Sequence, residues 1–533
     1  AHPNMILNNQ VIQPSSTVTY LGLKLDPKLR WVPHFQYLKG IISRWSNFLS
    51  ATSGTHWGSH PSCLLKIFNA VIRSKADYGS FLYSSASLSH RKKLNSILLS
   101  CLRTTVGALS SSPLASLEVE CACPPIELRS RRLAGKFLLK TLSSSNQSLF
   151  QMFVSIKSSW TYVAKTLPIL ASVAFSFSVF SPLVYRPSLR LQIYDTPYAA
   201  LSFFPEVTVS PNFLSYSLKE LPRLPQTLVD SLFNEYISYN FPSSVRIFTD
   251  GSVSPNSAGF SFFIPSLNIS FADKLHPLTS SFSAECYAII SALQFSFTLE
   301  YNSFLILSDS QSCLLAISSD SFLSALSPLV LVIKSLVYRL ILAYKTVKFF
   351  WIPSHVGIAG NERADHLAFS TKSLIYFSPF NTPASDFLPI HCKLLRNAWQ
   401  TNWDSLPHNY ATWHRHIVSS IPKHPWFKDL EISRHLIVSF TRLRIGHSLL
   451  PHHSSKLNLN SSPLCTLHHD ESICDLDHIL FNCPSLITNR QLLFFFLSSL
   501  GYISPDSNLL LNSRYIPIIR SLIQFIHTAG FLI

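Results

Sequence analysis

Apolar and polar positions follow more than one rhythm along this chain. An apolar spacing near 3.6 runs through Phe35–Leu49, Leu64–Tyr83, Arg91–Val106 and Ile126–Leu142, which predicts a mainly helical region over residues 1–150. Arg91, Lys92 and Lys93 open one of these helices, and Arg129, Arg131 and Arg132 open another. Across residues 151–240 Ser, Phe and Pro dominate and the periodicity is lost, as expected of a poorly packed connector. From Val245 the pattern becomes an alternation of strands and helices. Val245–Asp250 reads as a strand, with Ala258–Ile264 and Leu267–Ala272 as its hairpin partners. Phe282–Glu300 reads as a helix, Phe304–Asp309 as a strand, Gln311–Ser319 and Ala325–Ala343 as helices, Val347–Ile352 as a fifth strand, and Asn361–Lys372 as a closing helix. This order predicts an α/β domain, a mixed sheet with helices on its faces. Residues 374–533 read as helical and loop-rich, and no internal repeat is visible.

Composition narrows the choice of class. Of 533 residues 47% are hydrophobic and 13% charged, against about 25% charged in an ordinary domain, which excludes wholesale disorder. The length predicts about three or four domains. The chain opens at Ala1 with its first methionine at Met5, as a fragment of a longer protein does. Its net charge of +16 is unevenly spread: residues 1–140 carry 17 basic against 5 acidic side chains, and residues 245–373 carry 8 of each. A basic segment beside a neutral one predicts a polyanion partner held mostly by the first. Ten cysteines are too few for a disulfide scaffold, so a reducing intracellular compartment is expected, nucleus or cytoplasm being left open. Leu167–Tyr185 is uncharged and long enough to span a bilayer, but it contains four serines and Pro182 and nothing elsewhere matches it. No membrane partner is expected.

Four acidic residues stand in otherwise apolar surroundings. Asp250 ends one predicted strand and Asp309 another, so their carboxylates can lie side by side at one sheet edge. Glu285 shares a helix face with Phe282, Ile289 and Ala292, the face expected to pack on the sheet. Asp365 is expected in the first turn of the last helix, beside the core-facing Ala364 and Ala368. An Asp after a strand is common in turns. A buried unpaired carboxylate, however, costs several kcal/mol, and four together repel unless a divalent cation joins them. Hard oxygen ligands suit Mg²⁺ or Mn²⁺, and two such ions about 4 Å apart can activate water and stabilise a departing oxygen.

These residues carry a family resemblance. Thr249-Asp250-Gly251-Ser252, Ser283-Ala284-Glu285-Cys286-Tyr287-Ala288, Ser308-Asp309-Ser310 and the run from Trp351-Ile352-Pro353-Ser354-His355 to Asn361-Glu362-Arg363-Ala364-Asp365 together resemble type 1 ribonuclease H over residues 241–373. The resemblance implies a five-stranded mixed sheet flanked by helices, and cleavage of the RNA strand of RNA/DNA hybrids with two Mg²⁺ or Mn²⁺ ions and no small-molecule cofactor. It implies that Asp250, Glu285, Asp309 and Asp365 hold the metal and that His355, on a loop near the leaving group, aids proton transfer or product release. Gly251, Ser252 and Asn361 are implied contacts to the hybrid, which such enzymes read by A-form shape and 2′-hydroxyls.

The flanks carry weaker likenesses. Residues 1–150, with Tyr20-Leu21-Gly22-Leu23-Lys24-Leu25-Asp26 and Ala76-Asp77-Tyr78-Gly79, resemble the part of a non-LTR retrotransposon reverse transcriptase beyond its palm. The Asp-Asp pair that such a polymerase needs occurs nowhere, so polymerase activity is not expected. In residues 374–533, Cys465, His468, His478 and Cys483 have the donor types of a tetrahedral zinc site, with Cys474, His469 and Asp477 as competing ligands. Elements of this kind carry a Cys/His cluster after the nuclease, usually with cysteine where this chain has His468. Two other classes remain open: a nucleic-acid-binding remnant in which catalysis has lapsed, and a membrane-associated protein.

Overall fold

The computed structural model describes residues 5–8, 10–12, 15–55, 57–143, 151, 168–169, 172–173, 184, 204–210, 212–213, 216–217, 220–320, 327–374, 380–459, 462–469 and 471–533. The chain divides into two compact units. Unit 1 comprises Ala1–Ala134, Trp160–Val173 and Cys392–Ile533, and unit 2 comprises Gly135–Ser159 and Ala174–His391. The apolar stretch Leu167–Tyr185 lies almost wholly outside the described residues; among those described, no helix is long and apolar enough to cross a membrane.

Unit 2 is built on a mixed sheet. Its strands are β1 (Glu206–Thr208), β2 (Val245–Ser254), β3 (Ser257–Ile264), β4 (Ile269–Leu275), β5 (Ser303–Ser308) and β6 (Thr346–Trp351). Their order across the sheet is β4-β3-β2-β5-β6-β1. Pairing is antiparallel from β4 to β2 and parallel from β2 through β5 and β6 to β1. Five helices accompany it: α1 (Gln226–Asn240), α2 (Ser281–Ser296), α3 (Gln311–Ser318), α4 (Pro328–Leu342) and α5 (Ala359–Ser370).

The two-residue period of the strands assigns each side chain to a layer. Ile247, Phe304, Ile306, Phe349 and Trp351 join one core with Ile289 of α2 and Ile333 of α4. Phe248, Leu305, Leu307 and Phe350 join the other with Phe233 and Ile237 of α1 and Ala364 of α5. The central strand β5 is therefore buried on both faces, which is why it reads as a continuous apolar run.

Three expectations need correction here. The sheet has six strands, not five, because β1 from the presumed connector pairs with β6 through Lys348↔Glu206, Phe349↔Val207 and Phe350↔Thr208. The same stretch supplies α1, whose Val229, Phe233 and Ile237 recur every fourth residue and are buried. Leu267–Ala272 falls partly in β4, which pairs with β3 alone and not with β2.

Unit 1 is helical after two short hairpins that helical periodicity does not register, Met5–Leu7 with Gln10–Ile12 and Val18–Tyr20 with Leu23–Leu25. The second turns at Leu21 (φ 46°) and Gly22 (φ 81°), the positive pair that tight hairpin turns require. The expected helix Leu64–Tyr83 runs instead from Pro61 to Asp77, passes through a wider π turn at Phe68–Arg73, and stops before Gly79 (φ 67°). The two motifs noted at Leu21-Gly22 and Tyr78-Gly79 pack on each other. Tyr78 Oη donates to the Leu21 carbonyl at 2.7 Å, and a Cβ on Gly79 would lie 2.9 Å from Leu23 Cδ2. Val32–Ala51, Leu88–Val106, Arg434–Ile445 and Ile516–Thr528 contribute the main core, with Leu38, Ile42, Leu102, Phe440 and Ile526 buried.

Candidate active site

Asp250 lies within β2 and is 6% exposed. By strand alternation it shares the side of Phe248, the face that α5 covers, while Gly251 turns toward α2. Gly251 permits a close approach: a Cβ there would lie 2.5 Å from the Glu285 amide nitrogen and 2.7 Å from the Ala284 carbonyl carbon. That contact seats Glu285 beside Asp250. The helix carrying Glu285 is fixed at its start by Ser280, whose hydroxyl accepts from the Ser283 amide at 3.2 Å and whose own amide donates to Asp386 Oδ2 at 2.9 Å. Glu285 is likewise 6% exposed.

Asp309 follows β5 directly, where Ser308 is in register with Thr249 of β2 and Trp351 of β6. Its carbonyl accepts from Trp351 Nε1 at 3.0 Å and from the Gln311 amide at 3.0 Å. Its carboxylate accepts from the Asn361 side chain. One oxygen from each of Asp250, Glu285 and Asp309 lies within 4.8 Å of the others. Asp250 Oδ2 and Glu285 Oε2 are buried without a hydrogen-bond partner.

A second group adjoins this one. His355, Glu362 and Asp365 also bring one ligand atom each within 4.8 Å. His355 Nδ1 stands 3.8 Å from Asp365 Oδ2, and the histidine side chain is 73% exposed on a left-handed residue (φ 54°). Asp365 sits in the second turn of α5, not the first, because the helix begins at Ala359. Glu362 is three residues before Asp365 and so on the same helix face; Gly357 donates its amide to Glu362 Oε1 at 3.3 Å. Sequence reasoning missed Glu362, although that spacing was the signal. Asn361 is 2% exposed with its amide turned to Asp309, so the structure places it under the carboxylates and not on a surface that a hybrid could reach. Ser252 is half-buried two residues beyond Asp250 on β2 and pairs with Gly259.

Electrostatics follow from this crowding. Burial raises Asp250 to about 8, reinforced by the charges of Asp309, Asp365 and Glu362 and opposed by the Gly251 amide. Glu285 is pushed well above the usual carboxylate range by burial and then by Asp250 and Asp309. Asp309 is raised by burial and Asp365, against the pull of Asn361 and His355. Buried carboxylates whose neighbours are carboxylates, with oxygens left unpaired, suit a hard divalent cation.

Residues 242–373 match the RNase H family. This RNase H domain spans β2 to α5 and carries both groups, whereas β1 and α1 lie before it. No curated protein matches the chain. Among solved structures, RNase H1 from the halophilic archaeon Halobacterium salinarum is similar at 20% identity, covering 24% of this chain and 97% of that one with a TM-score of 0.20.

The Cys/His residues of unit 1 also meet. The chain folds back at Leu464↔Ile473, with the Cys465 amide donating to the Ser472 carbonyl at 2.9 Å. A π turn at His478–Asn482, closed by the Cys483 amide on the His478 carbonyl at 2.7 Å, sets the other two residues together. Cys465 and Cys483 Sγ are 3.9 Å apart, His468 and His478 Nε2 are 3.1 Å apart, and all four ligand atoms lie within 4.8 Å of one another. Of the competing ligands, Asp477 accepts from Ser507 Oγ at 2.6 Å. Cys474 is buried with its thiol pushed up to about 12, by burial first and then by Cys465.

Proposed function

We propose that the RNase H domain hydrolyses the RNA strand of RNA/DNA hybrids, with Asp250, Glu285, Asp309 and Asp365 holding two Mg²⁺ or Mn²⁺ ions. The observation that carries this reading is the convergence of Asp250, Glu285 and Asp309 with two buried oxygens left unpaired. When bound, the ions supply an activated water and neutralise charge at the departing oxygen. The chain's own groups do the rest. Gly251 holds β2 against α2 so that the carboxylates stay close, and Asn361 orients Asp309 from below. Exposed beside Asp365, His355 can exchange a proton with the leaving group. Gly251 and Ser252, beyond Asp250 on β2, are where a hybrid backbone would pass.

The likeness of the sequence motifs around Leu21 and Tyr78 is the ground for a retroelement origin, in which the basic helices of unit 1 would grip nucleic acid through phosphates. We assign Cys465, His468, His478 and Cys483 to a structural Zn²⁺, whose binding would keep both thiols ionised despite their burial. Cleavage of a labelled hybrid in Mg²⁺ tests the catalytic reading. Asp309→Asn, which keeps the shape and removes the charge, is expected to lower the rate by about 10³-fold with binding retained. Binding without cleavage by the unmutated chain overturns the enzyme and leaves a binding module.

A further inference from the structure

Unit 1 also gathers like groups around a cavity, and these are basic. The helix Arg434–Ile445 ends at Gly446 (φ 77°), where a Cβ would lie 2.5 Å from Trp413 Cδ1, so the indole packs directly on the backbone. Beyond that turn, His447, His452, His453 and Lys456 line a cavity of about 380 Å³ with Trp413 in its wall. Ser111 Oγ lies 3.1 Å from His447 Nδ1 and 3.0 Å from His453 Nε2, and the two imidazole rings are 4.1 Å apart. Lys456 Nζ is 3.0 Å from His452 Nε2, and His452 Nδ1 is buried with no partner. Among the described residues that line the cavity, Asp475 is the sole acid, and its Oδ1 already accepts from the His478 amide at 2.8 Å.

We infer that this cavity is a phosphate-binding site, with Lys456 as its fixed charge and the three histidines as donors. Three imidazoles and an ammonium converge around this cavity, and Asp475 is the single carboxylate among the described lining residues to set against them. Ser111 has one proton to share between two ring nitrogens, so at least one of His447 and His453 must itself donate to it, which holds both rings in place. A phosphate brings nearly two negative charges at neutral pH and three acceptor oxygens, enough for several such donors at once. Protonation follows binding. Burial pushes His447 down to about 4, helped by His453, Lys456 and the deeper His414. Burial also lowers His453 and His452, with Lys456 and His452 adding to it at His453 and Lys456 adding to it at His452 against the pull of Asp475. An anion in the cavity reverses those repulsions, so binding takes up protons and tightens as pH falls. The proposal is independent of the nuclease reading.

Equilibrium dialysis of the full chain against radiolabelled inorganic phosphate tests it. Saturable binding is expected, about 10-fold tighter at pH 6 than at pH 8 and at least about 10-fold weaker in Lys456→Met and in His452→Gln. Circular dichroism checks that both variants fold. Absence of saturable binding at pH 6, or equal binding by well-folded variants, overturns the site. A single-stranded oligonucleotide separates the sources. Displacement of phosphate by the oligonucleotide assigns the site to a nucleic-acid backbone; phosphate binding that the oligonucleotide leaves intact assigns it to a free phosphate or mononucleotide.

Discussion

Both units bury carboxylates, but on opposite terms. Glu120 of unit 1 is fully buried, lies 2.7 Å from His414 Nε2, and accepts from Arg444 Nε at 3.0 and 3.2 Å. Burial raises its pKa, yet Arg444 and His414 overcome that and hold it below the usual value. Asp250, Glu285 and Asp309 of unit 2 are buried with one another for company, and all three are raised. A carboxylate with its counter-charge built in is finished by folding alone. A group of carboxylates without one leaves the fold carrying their mutual repulsion, which the proposed ions would relieve.

Removing Glu120 should break the first half of this contrast with the largest effect. Glu120→Ala leaves Arg444 and His414 buried without their partner and is expected to cost about 3–5 kcal/mol in urea denaturation. A loss below about 1 kcal/mol would mean that the cluster contributes little. Next in size is the Cys/His group, in which soft donors close on one ion. Cys483→Ser should take zinc content from about one per chain to near zero and lower stability by about 2 kcal/mol, read by metal analysis and melting; a wild-type chain without zinc ends that assignment.

A pH series sharpens the second half. In metal-free protein the unit 2 carboxylates have folded-state pKa values above their unfolded ones. Their contribution is therefore fully present below about pH 4 and is lost as pH rises toward 8, the value for Asp250. Apparent Tm should fall across that window, and Asp250→Asn or added Mg²⁺ should flatten the fall. A Tm that rises with pH in wild type and not in Asp250→Asn would show that the repulsion is absent.

Much of the site was legible because its signals are local. An Asp closing an apolar run, as at Phe304–Asp309, marks both a strand and its edge, and Gly251 after Asp250 marks the close approach to α2. The misreadings came from what short windows do not contain. β1 is three residues long and gains its identity only from pairing with β6, so no periodicity announces it. The repeat of Val229, Phe233 and Ile237 in α1 was present but obscured by the Ser- and Pro-rich sequence around it. Asn361 has the polarity of a surface contact; only the packing of α5 against the sheet turns it under Asp309. For the Cys/His group, spacing could not choose among seven candidate donors; the fold brings one ligand atom each of Cys465, His468, His478 and Cys483 within 4.8 Å of one another.

The most direct measurement is Mn²⁺ binding to the full chain followed by electron paramagnetic resonance, in wild type and in Asp250→Asn. The account predicts saturable binding by wild type that competes with Mg²⁺ and weakens at least about 10-fold in the variant. Equal Mn²⁺ binding by both proteins, or none by either, would contradict the claim that these buried carboxylates exist to hold a divalent ion.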